Sequence, residues 1–502
     1  MRSRKAFYNM VSSSVLEFVT LIIGLILPRF LLQAFGSSNN GLVASISQFL
    51  NYISVLTIGV AGPTRVALYK TLSKNDMAGT NAVLRATRNF YRKLCKIFLI
   101  YIVVLAFTFP FIVESELGWY EVSLLIIIIA TGIISEYFFG FTYENLLNAD
   151  QTSYIFTFIK LGCKVASAFL AIFLINRGAS LFAVQLCISM SLAISPIILS
   201  MLVKKKYTID LNVEPDYSAL SQRKDAAASS IANIVHARTD IVLLTLFAST
   251  AYVSVYSIYM IVMNGLLRLM SVFTGALEAP FGKMYAGHET ESLQKGIRLY
   301  EFIIYTFVAV VFTTTGFMIL PFVSLYTKGV TDVEYIQPLF AILLTAATAM
   351  QCIRQPYLTM VQAAGKYKEN KVGNFIEAGL NIGLSLALVI PLGLVGVTIG
   401  TLVANLFRTI LYAVYMSKNL IKRSIREVFM RFIWVIAIVG LSIGLGTVTR
   451  YTVRYDTWLE WILSGFVVVA GVGTIAAAMS FLFYKDDIKA LFSLMKGLIR
   501  KS

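Results

Sequence analysis

Charge is what this chain has least of. Only 14% of its 502 residues are Asp, Glu, Lys or Arg, against roughly 25% in soluble proteins, which excludes a soluble globular fold for most of the length. Acid is scarcer than base, at 26 Asp and Glu against 43 Lys and Arg. There are two histidines, and the four cysteines (Cys95, Cys163, Cys187, Cys352) form no CxxC pair, so zinc sites and a disulfide framework are not expected. No metal motif, nucleophile elbow or glycine-rich phosphate loop is found. We therefore expect no enzyme, no catalytic residue, no metal and no resident cofactor. Nor is any stretch outside the apolar runs long enough for a separate soluble domain.

What is present is apolar sequence: 58% of residues are hydrophobic and the mean hydropathy is +0.76. A membrane-crossing helix needs about 20 mostly apolar residues. Such runs recur fourteen times, at 10–35, 41–72, 94–113, 119–147, 154–176, 179–203, 226–248, 252–284, 299–320, 335–363, 372–390, 393–416, 428–449 and 458–484. Lipid offers no hydrogen-bond partners, so their backbones must be helical. Spans longer than thirty residues are expected to tilt or to run on beyond the bilayer. The MRSRK start precedes a run too long for a signal peptide and is read as the lead into span 1.

Basic residues set the orientation. Thirty Lys and Arg fall in the two termini and the connections after even-numbered spans, including 74–96, 204–224 and 418–431. The opposite side holds only Arg177, Lys328, Arg450 and Arg454. Positive-inside bias makes the first side cytoplasmic, with both termini there. The net charge of +17 is thus a topology signal, and nucleic acid is not an expected partner.

An internal repeat divides the chain. Ser12 and Ser13 match Ser229 and Ser230 at a spacing of 217 (229 minus 12), and Pro63 matches Pro280 at the same spacing. "YENLLNADQ" (143–151) aligns with "YLTMVQAAG" (357–365) at 214 (357 minus 143). Spans 1–6 map onto spans 7–12, and six is even, so both halves keep one orientation, the parallel-repeat plan of many transporters. The expected division is an N-lobe over 1–203, a cytoplasmic linker over 204–225, a C-lobe over 226–417, a pair of extra spans over 418–484 and a basic tail over 485–502.

Nine basic residues remain inside the spans: Arg29, Arg65, Lys70, Lys160, Lys164, Arg238, Arg268, Arg354 and Arg408. The deep ones cost about 2.5–3.5 kcal/mol each on insertion scales and must face protein or water. Helical spacing gathers many into polar stripes. Span 1 has Ser13, Glu17, Thr20 and Gly24; span 5 has Thr157, Lys160, Lys164 and Ser167; span 7 has Ser229, Asn233, His236 and Asp240. Span 8 has Asn264, Arg268, Ser271, Gly275 and Glu278; span 11 has Asn370, Asn374, Glu377 and Asn381; span 12 has Thr401, Asn405, Arg408 and Tyr412. Stripes in both lobes imply a solvated interior. An ion pair between helices is often structural glue, and that reading stands beside a functional one for Asp240 and Glu377. A lone His236 reads more readily as a satisfied core histidine than as a proton carrier. The acids inside the spans, Glu17, Glu136, Glu144, Asp240, Glu278 and Glu377, are outnumbered. The surplus is positive and suits an anionic cargo, phosphate above all where arginine is the donor.

Six plus six plus two spans, the MRSRK start, "LPRFLLQAFG" (27–36), "GPTRVALYK" (62–70), "RTDIVLL" (238–244) and "QAAGKYKENK" (362–371) together resemble the Wzx-type polysaccharide flippases. These sit in the multidrug/oligosaccharidyl-lipid/polysaccharide exporter superfamily beside MurJ and the MATE drug exporters. The resemblance implies an all-α membrane fold with two six-helix lobes in a V and alternating access. The implied cargo is a glycan on undecaprenyl pyrophosphate, moved to the periplasmic leaflet of a bacterial inner membrane. Arg29, Arg65 and Arg268 match the family's pyrophosphate-binding arginines by type, though Arg29 lies off its stripe. Arg238, His236, Arg354, Arg408 and Lys164 would join them along the cavity. Asp240, Glu278 and Glu377 would be ion-coupling or gating residues for a proton or sodium ion. Spans 13 and 14 would extend the cavity toward the lipid tail. Implied partners are membrane lipids, a polysaccharide polymerase and a chain-length regulator, with a monomeric transport unit. A MurJ-like lipid II flippase and a MATE-type cation antiporter are the alternatives; the latter would call for an acid-dominated cavity.

Overall fold

A computed structural model describes residues 2–57, 59–220, 238–274, 277–449, 453 and 455–501. Among these there is no strand. The chain is an all-helical membrane protein. Ten of the described helical segments are long and apolar enough to cross a membrane. Two of them, Arg4–Val55 and Val372–Leu420, run to 52 and 49 residues. At about 1.5 Å per residue either would be more than twice a bilayer's hydrocarbon thickness of about 30 Å, and each breaks at a glycine. Helix α1 (Arg2–Asn51) breaks at Gly36, φ 79°, and α14 (Tyr367–Tyr415) breaks at Gly393, φ 53°. Only glycine enters that backbone region without steric cost. Each long helix therefore holds two of the expected spans. Span 10 is split into α12 (Pro338–Ile353) and α13 (Gln355–Ala363), and span 7 is described only from residue 238. The structure is consistent with fourteen spans.

The described residues cluster into two compact units, Met1–Ser257 and Ile258–Ser502. In unit 1, α2 (Ala61–Ser73), α3 (Met77–Ile112), α4 (Trp119–Ser135), α5 (Phe141–Ala149), α6 (Tyr154–Asn176) and α7 (Leu181–Lys206) follow α1. The core is built from Leu42, Ile46, Phe98, Leu125 and Ile126 on one side and Leu84, Leu146 and Leu199 on the other. Residues 238–247 form α8. α8 packs on α1: the Ser45 and Thr245 hydroxyls lie 2.8 Å apart. The start of α9 (Thr250–Thr274) does likewise, with Asn40 Nδ2 donating to Ser254 Oγ at 2.8 Å. These bonds group 238–257 with unit 1, although the repeat counts span 7 as the first of the second half; packing and repeat are separate properties.

Unit 2 comprises the rest of α9, then α10 (Glu278–Ala286), α11 (Thr290–Tyr326), α12 to α14, α15 (Arg426–Val448), α16 (Trp458–Phe483) and α17 (Lys485–Lys501). Its core joins Ile297, Tyr305, Tyr357, Met360, Met416 and Ile438. The Tyr305 and Tyr357 hydroxyls meet inside it at 2.7 Å.

The repeat is present in the backbone. Helices α5 and α13 begin and end 214 residues apart (355 minus 141, 363 minus 149). Helices α2 and α10 both begin after an interrupted span, 217 residues apart (278 minus 61). Left-handed turns recur as well: Asn75 and His288 differ by 213 (288 minus 75), and Gln151 and Gly365 by 214 (365 minus 151). Spans 2 and 8 are both broken, close to the Pro63 and Pro280 that the sequence sets at equivalent places. The glycines at 59 and 62 and Pro63 in the first, and Pro280 in the second, explain it: proline removes a helical hydrogen bond and glycine tolerates the break.

Candidate functional site

The polar stripes meet partners within each unit. In unit 1 the α4–α5 junction, Glu136–Gly140, is one turn of π-helix. A single wide turn of this kind is frequent at functional sites. Gly140 packs closely there, where a Cβ would lie 3.3 Å from Pro196 of α7. Lys160 on α6 bridges Glu136 at 3.0 Å and Glu144 at 2.8 Å. One turn on, Lys164 Nζ donates to Thr20 Oγ1 of α1 at 3.1 Å. The span 5 and span 1 stripes therefore face one another. Arg29 follows Pro28 on α1 and is half-buried. Arg65, on α2, is also half-buried, and its Nε donates to the Ala61 carbonyl at 3.2 Å. No carboxylate pairs with Arg65 among the described residues.

The segment quoted as "RTDIVLL" is described from its first residue. Arg238 turns to α1, where its Nη1 donates to Gln48 Oε1 at 3.4 Å and Gln48 Nε2 donates to the Arg238 carbonyl at 3.4 Å. Asp240 is buried, and the Tyr256 hydroxyl donates to its Oδ2 at 2.9 Å. Sequence reasoning sought Asp240's partner among cations. The tyrosine lies across the turn at 248–249, and its sequence signal was only a tyrosine facing back toward an acid from the next helix. His236 lies outside the described residues.

Unit 2 holds the densest cluster. Arg354, at the α12–α13 junction, donates through Nη1 to Glu377 Oε1 at 2.5 Å. Arg408 Nε lies 3.6 Å from Glu377 Oε2. The Arg408 guanidinium also donates to Asn374 and to the Tyr412 hydroxyl, and it covers the Tyr412 ring, 3.9 Å from its centroid. Nearby, Asn381 Nδ2 donates to Thr401 Oγ1 at 2.9 Å. Gly373 makes room, because a Cβ there would overlap the Arg408 guanidinium. The stripes of spans 11 and 12 thus face each other across the Gly393 break. They were expected to line a solvated interior, yet Arg408 is 0% exposed. Two polar stripes in apolar surroundings satisfy each other most cheaply, since every unpaired group would be penalised.

Arg268 on α9 is exposed, and Glu278 is exposed in the first turn of α10. Of the candidates, Arg354, Arg408 and Glu377 are brought together; Lys164, Arg238 and Asp240 have partners on other helices of unit 1. Arg65 and Arg268 stay accessible on theirs.

Solved structures of membrane proteins share this all-helical fold. A lipid II flippase MurJ in an inward closed conformation superposes with TM-score 0.72 at 14% identity, over 95% of this chain and 99% of that one. An inward-facing multidrug MATE transporter of the MOP superfamily gives 0.59 at 14% identity, over 83% and 94%. A Vibrio cholerae MATE transporter gives 0.51 at 14%, over 84% and 96%. No family model matches the chain, and no curated protein matches it in sequence. At these identities the likeness is one of fold.

Proposed function

We propose that this protein is a flippase for a lipid-linked anionic glycan, moving an undecaprenyl-pyrophosphate oligosaccharide between leaflets of a bacterial cytoplasmic membrane by alternating access. The observation that carries the reading is the uneven use of charge. Glu136 and Glu144 are both engaged by Lys160, and Glu377 by Arg354 and Arg408. Arg65 keeps a half-exposed guanidinium with no carboxylate partner among the described residues. Arg268 is an exposed residue of α9. A guanidinium on a membrane helix must face protein partners, water or an anion, and its planar fork fits phosphate oxygens in pairs. The 0.72 superposition on a MurJ flippase supports a lipid-linked cargo.

The test is transport. Arg65→Ala and Arg268→Ala should each abolish glycan export while the protein accumulates normally in the membrane. Lysine at either position should restore part of it, since charge returns without the bidentate geometry. Normal export by the double alanine variant would exclude this site. A lipid II cargo would use the same phosphate chemistry. Restoration of lipid II transport in cells depleted of their own flippase, with no surface-polysaccharide phenotype, would favour that reading.

A further inference from the structure

Unit 2 has a second basic feature, away from the stripes. A cavity of about 420 Å³ opens where α11, α15 and the end of α16 meet, with Arg298, Ser424, Arg426, Glu427, Arg431 and Tyr484 on its wall. It lies among the basic connections that mark one side of the chain.

The polar groups around it are unbalanced. Asp487, at the start of α17, binds Arg298 Nε at 2.7 Å and Arg431 Nη2 at 3.0 Å. Glu301 binds Arg423 and lies 3.5 Å from Arg431 Nε. Glu427 is 3.9 Å from Arg423 and more than half exposed. Four guanidiniums, of Arg298, Arg423, Arg426 and Arg431, thus stand against three carboxylates. The donor surplus is larger than the charge surplus. Arg431 is 3% exposed, fixed over the Tyr484 ring at 5.0 Å, and its buried Nη1 has no acceptor among the described residues. Arg426 is exposed, and its side chain has no partner among the described residues. Arg298 is 49% exposed with only Nε committed. Glu427 is the one carboxylate on the wall.

A buried donor without an acceptor costs about 1–3 kcal/mol. Arg431 Nη1 is such a donor, and with the uncommitted, solvent-facing donors of Arg298 and Arg426 beside it the opening suits a ligand rich in acceptors. Beside it the surface is apolar: Phe429, Met430, Ile433 and Phe483 are all exposed. α17 carries Lys485, Lys489 and Lys496 on its polar side, while on the apolar one Ile488 and Leu491 pack on the core of unit 2 and Phe492 is exposed.

We propose that this cavity binds a phosphate group, and that the phosphate is the headgroup of an anionic phospholipid whose chains run along α15 and α16. Arg426 and Arg298 would hold its oxygens and Arg431 Nη1 would gain its missing acceptor. The headgroup site uses none of the proposed cargo-binding residues, although the lipid's chains would lie along the spans expected to take the cargo's lipid tail.

The experiment uses the full-length protein, stripped of lipid in detergent and titrated with phosphatidylglycerol, phosphatidylcholine or glycerol 1-phosphate while thermal unfolding is followed. Phosphatidylglycerol should raise Tm in a saturable way and phosphatidylcholine should not. Arg426→Gln, at an exposed position with no side-chain partner to lose, should weaken the apparent phosphatidylglycerol affinity about tenfold, as expected for one charged hydrogen bond. Arg426→Lys should recover part of it. Equal responses of wild type and Arg426→Gln, or equal stabilisation by both lipids, would overturn the site. Saturation by glycerol 1-phosphate with no advantage for the lipid would overturn the lipid source and make a soluble phosphate the ligand.

Discussion

Glu377 is the carboxylate whose loss should be felt most. It is buried, as are Arg408 and most of Arg354, and it sits between the two guanidiniums. Among the described residues the cluster carries two positive charges and one negative. Glu377→Gln keeps the shape but raises the net charge from one to two in a site that excludes water. Removing one partner of a buried pair costs about 3–5 kcal/mol. For a unit of this size each kcal/mol lowers Tm by about 2–4 °C, so we predict a fall on the order of 10 °C for detergent-purified protein. Adding Arg354→Gln returns the net charge to one. The double variant should therefore recover several degrees, a non-additivity of the kind expected for neighbours in one network. A Glu377→Gln variant within about 2 °C of wild type, or a double variant whose losses simply add, would refute the view that this carboxylate stabilises unit 2. If Glu377 instead couples transport to an ion, the variant should keep its Tm and lose its response to a proton or sodium gradient in a reconstituted flipping assay.

Three further outcomes are expected. Tyr256→Phe and Asp240→Asn should each destabilise by about 1–3 kcal/mol, the range for stranding one buried hydrogen-bonding group, and the double variant should cost less than the sum; full additivity would show that the 2.9 Å contact contributes nothing. Gly41→Ala should prevent accumulation of folded protein, because its Cβ would overlap the Thr250 carbonyl, whereas Gly24→Ala, with open space around it, should be neutral in the same membrane-extraction assay. Cysteines in place of Pro215 and Lys422 should react with an impermeant maleimide only from the cytoplasm, and one in place of Val330 only from outside; labelling of position 215 from outside would break the fourteen-span topology.

The helices were legible from hydropathy because a bilayer leaves the backbone one solution. Equivalent breaks were legible too, from the Pro63–Pro280 match and from 143–151 against 357–365, because turns at equivalent places need the same backbone; Ser229 and Ser230 lie outside the described residues. What escaped was where spans break. The π-turn at Glu136–Gly140 has no proline, and hydropathy runs straight through it. The stripes of spans 11 and 12 were read correctly as polar faces, but periodicity shows which residues share a face and not what that face meets. Arg408, placed by its stripe along a cavity, instead meets Glu377, Asn374 and Tyr412. Asp240's tyrosine partner could not be found by looking for opposite charge.

The two halves bridge the same junction with opposite polarity. In unit 1 the acid sits at the break between α4 and α5 and the lysine on α6. In unit 2 the arginine sits at the break between α12 and α13 and the acid on α14; Lys160 and Glu377 are 217 residues apart (377 minus 160). A chain that contains the same backbone twice faces a sorting problem as it enters the membrane, since each bridging helix has two geometrically suitable docks. The reversal sorts them: α6 at the second dock would set lysine against arginine, and α14 at the first would set glutamate against glutamate. Like charges in low dielectric repel by kilocalories rather than tenths. Exchange of helices between the halves is thus penalised where the shapes would permit it, and a chimera that duplicates either half should misassemble unless this one pair is inverted with it.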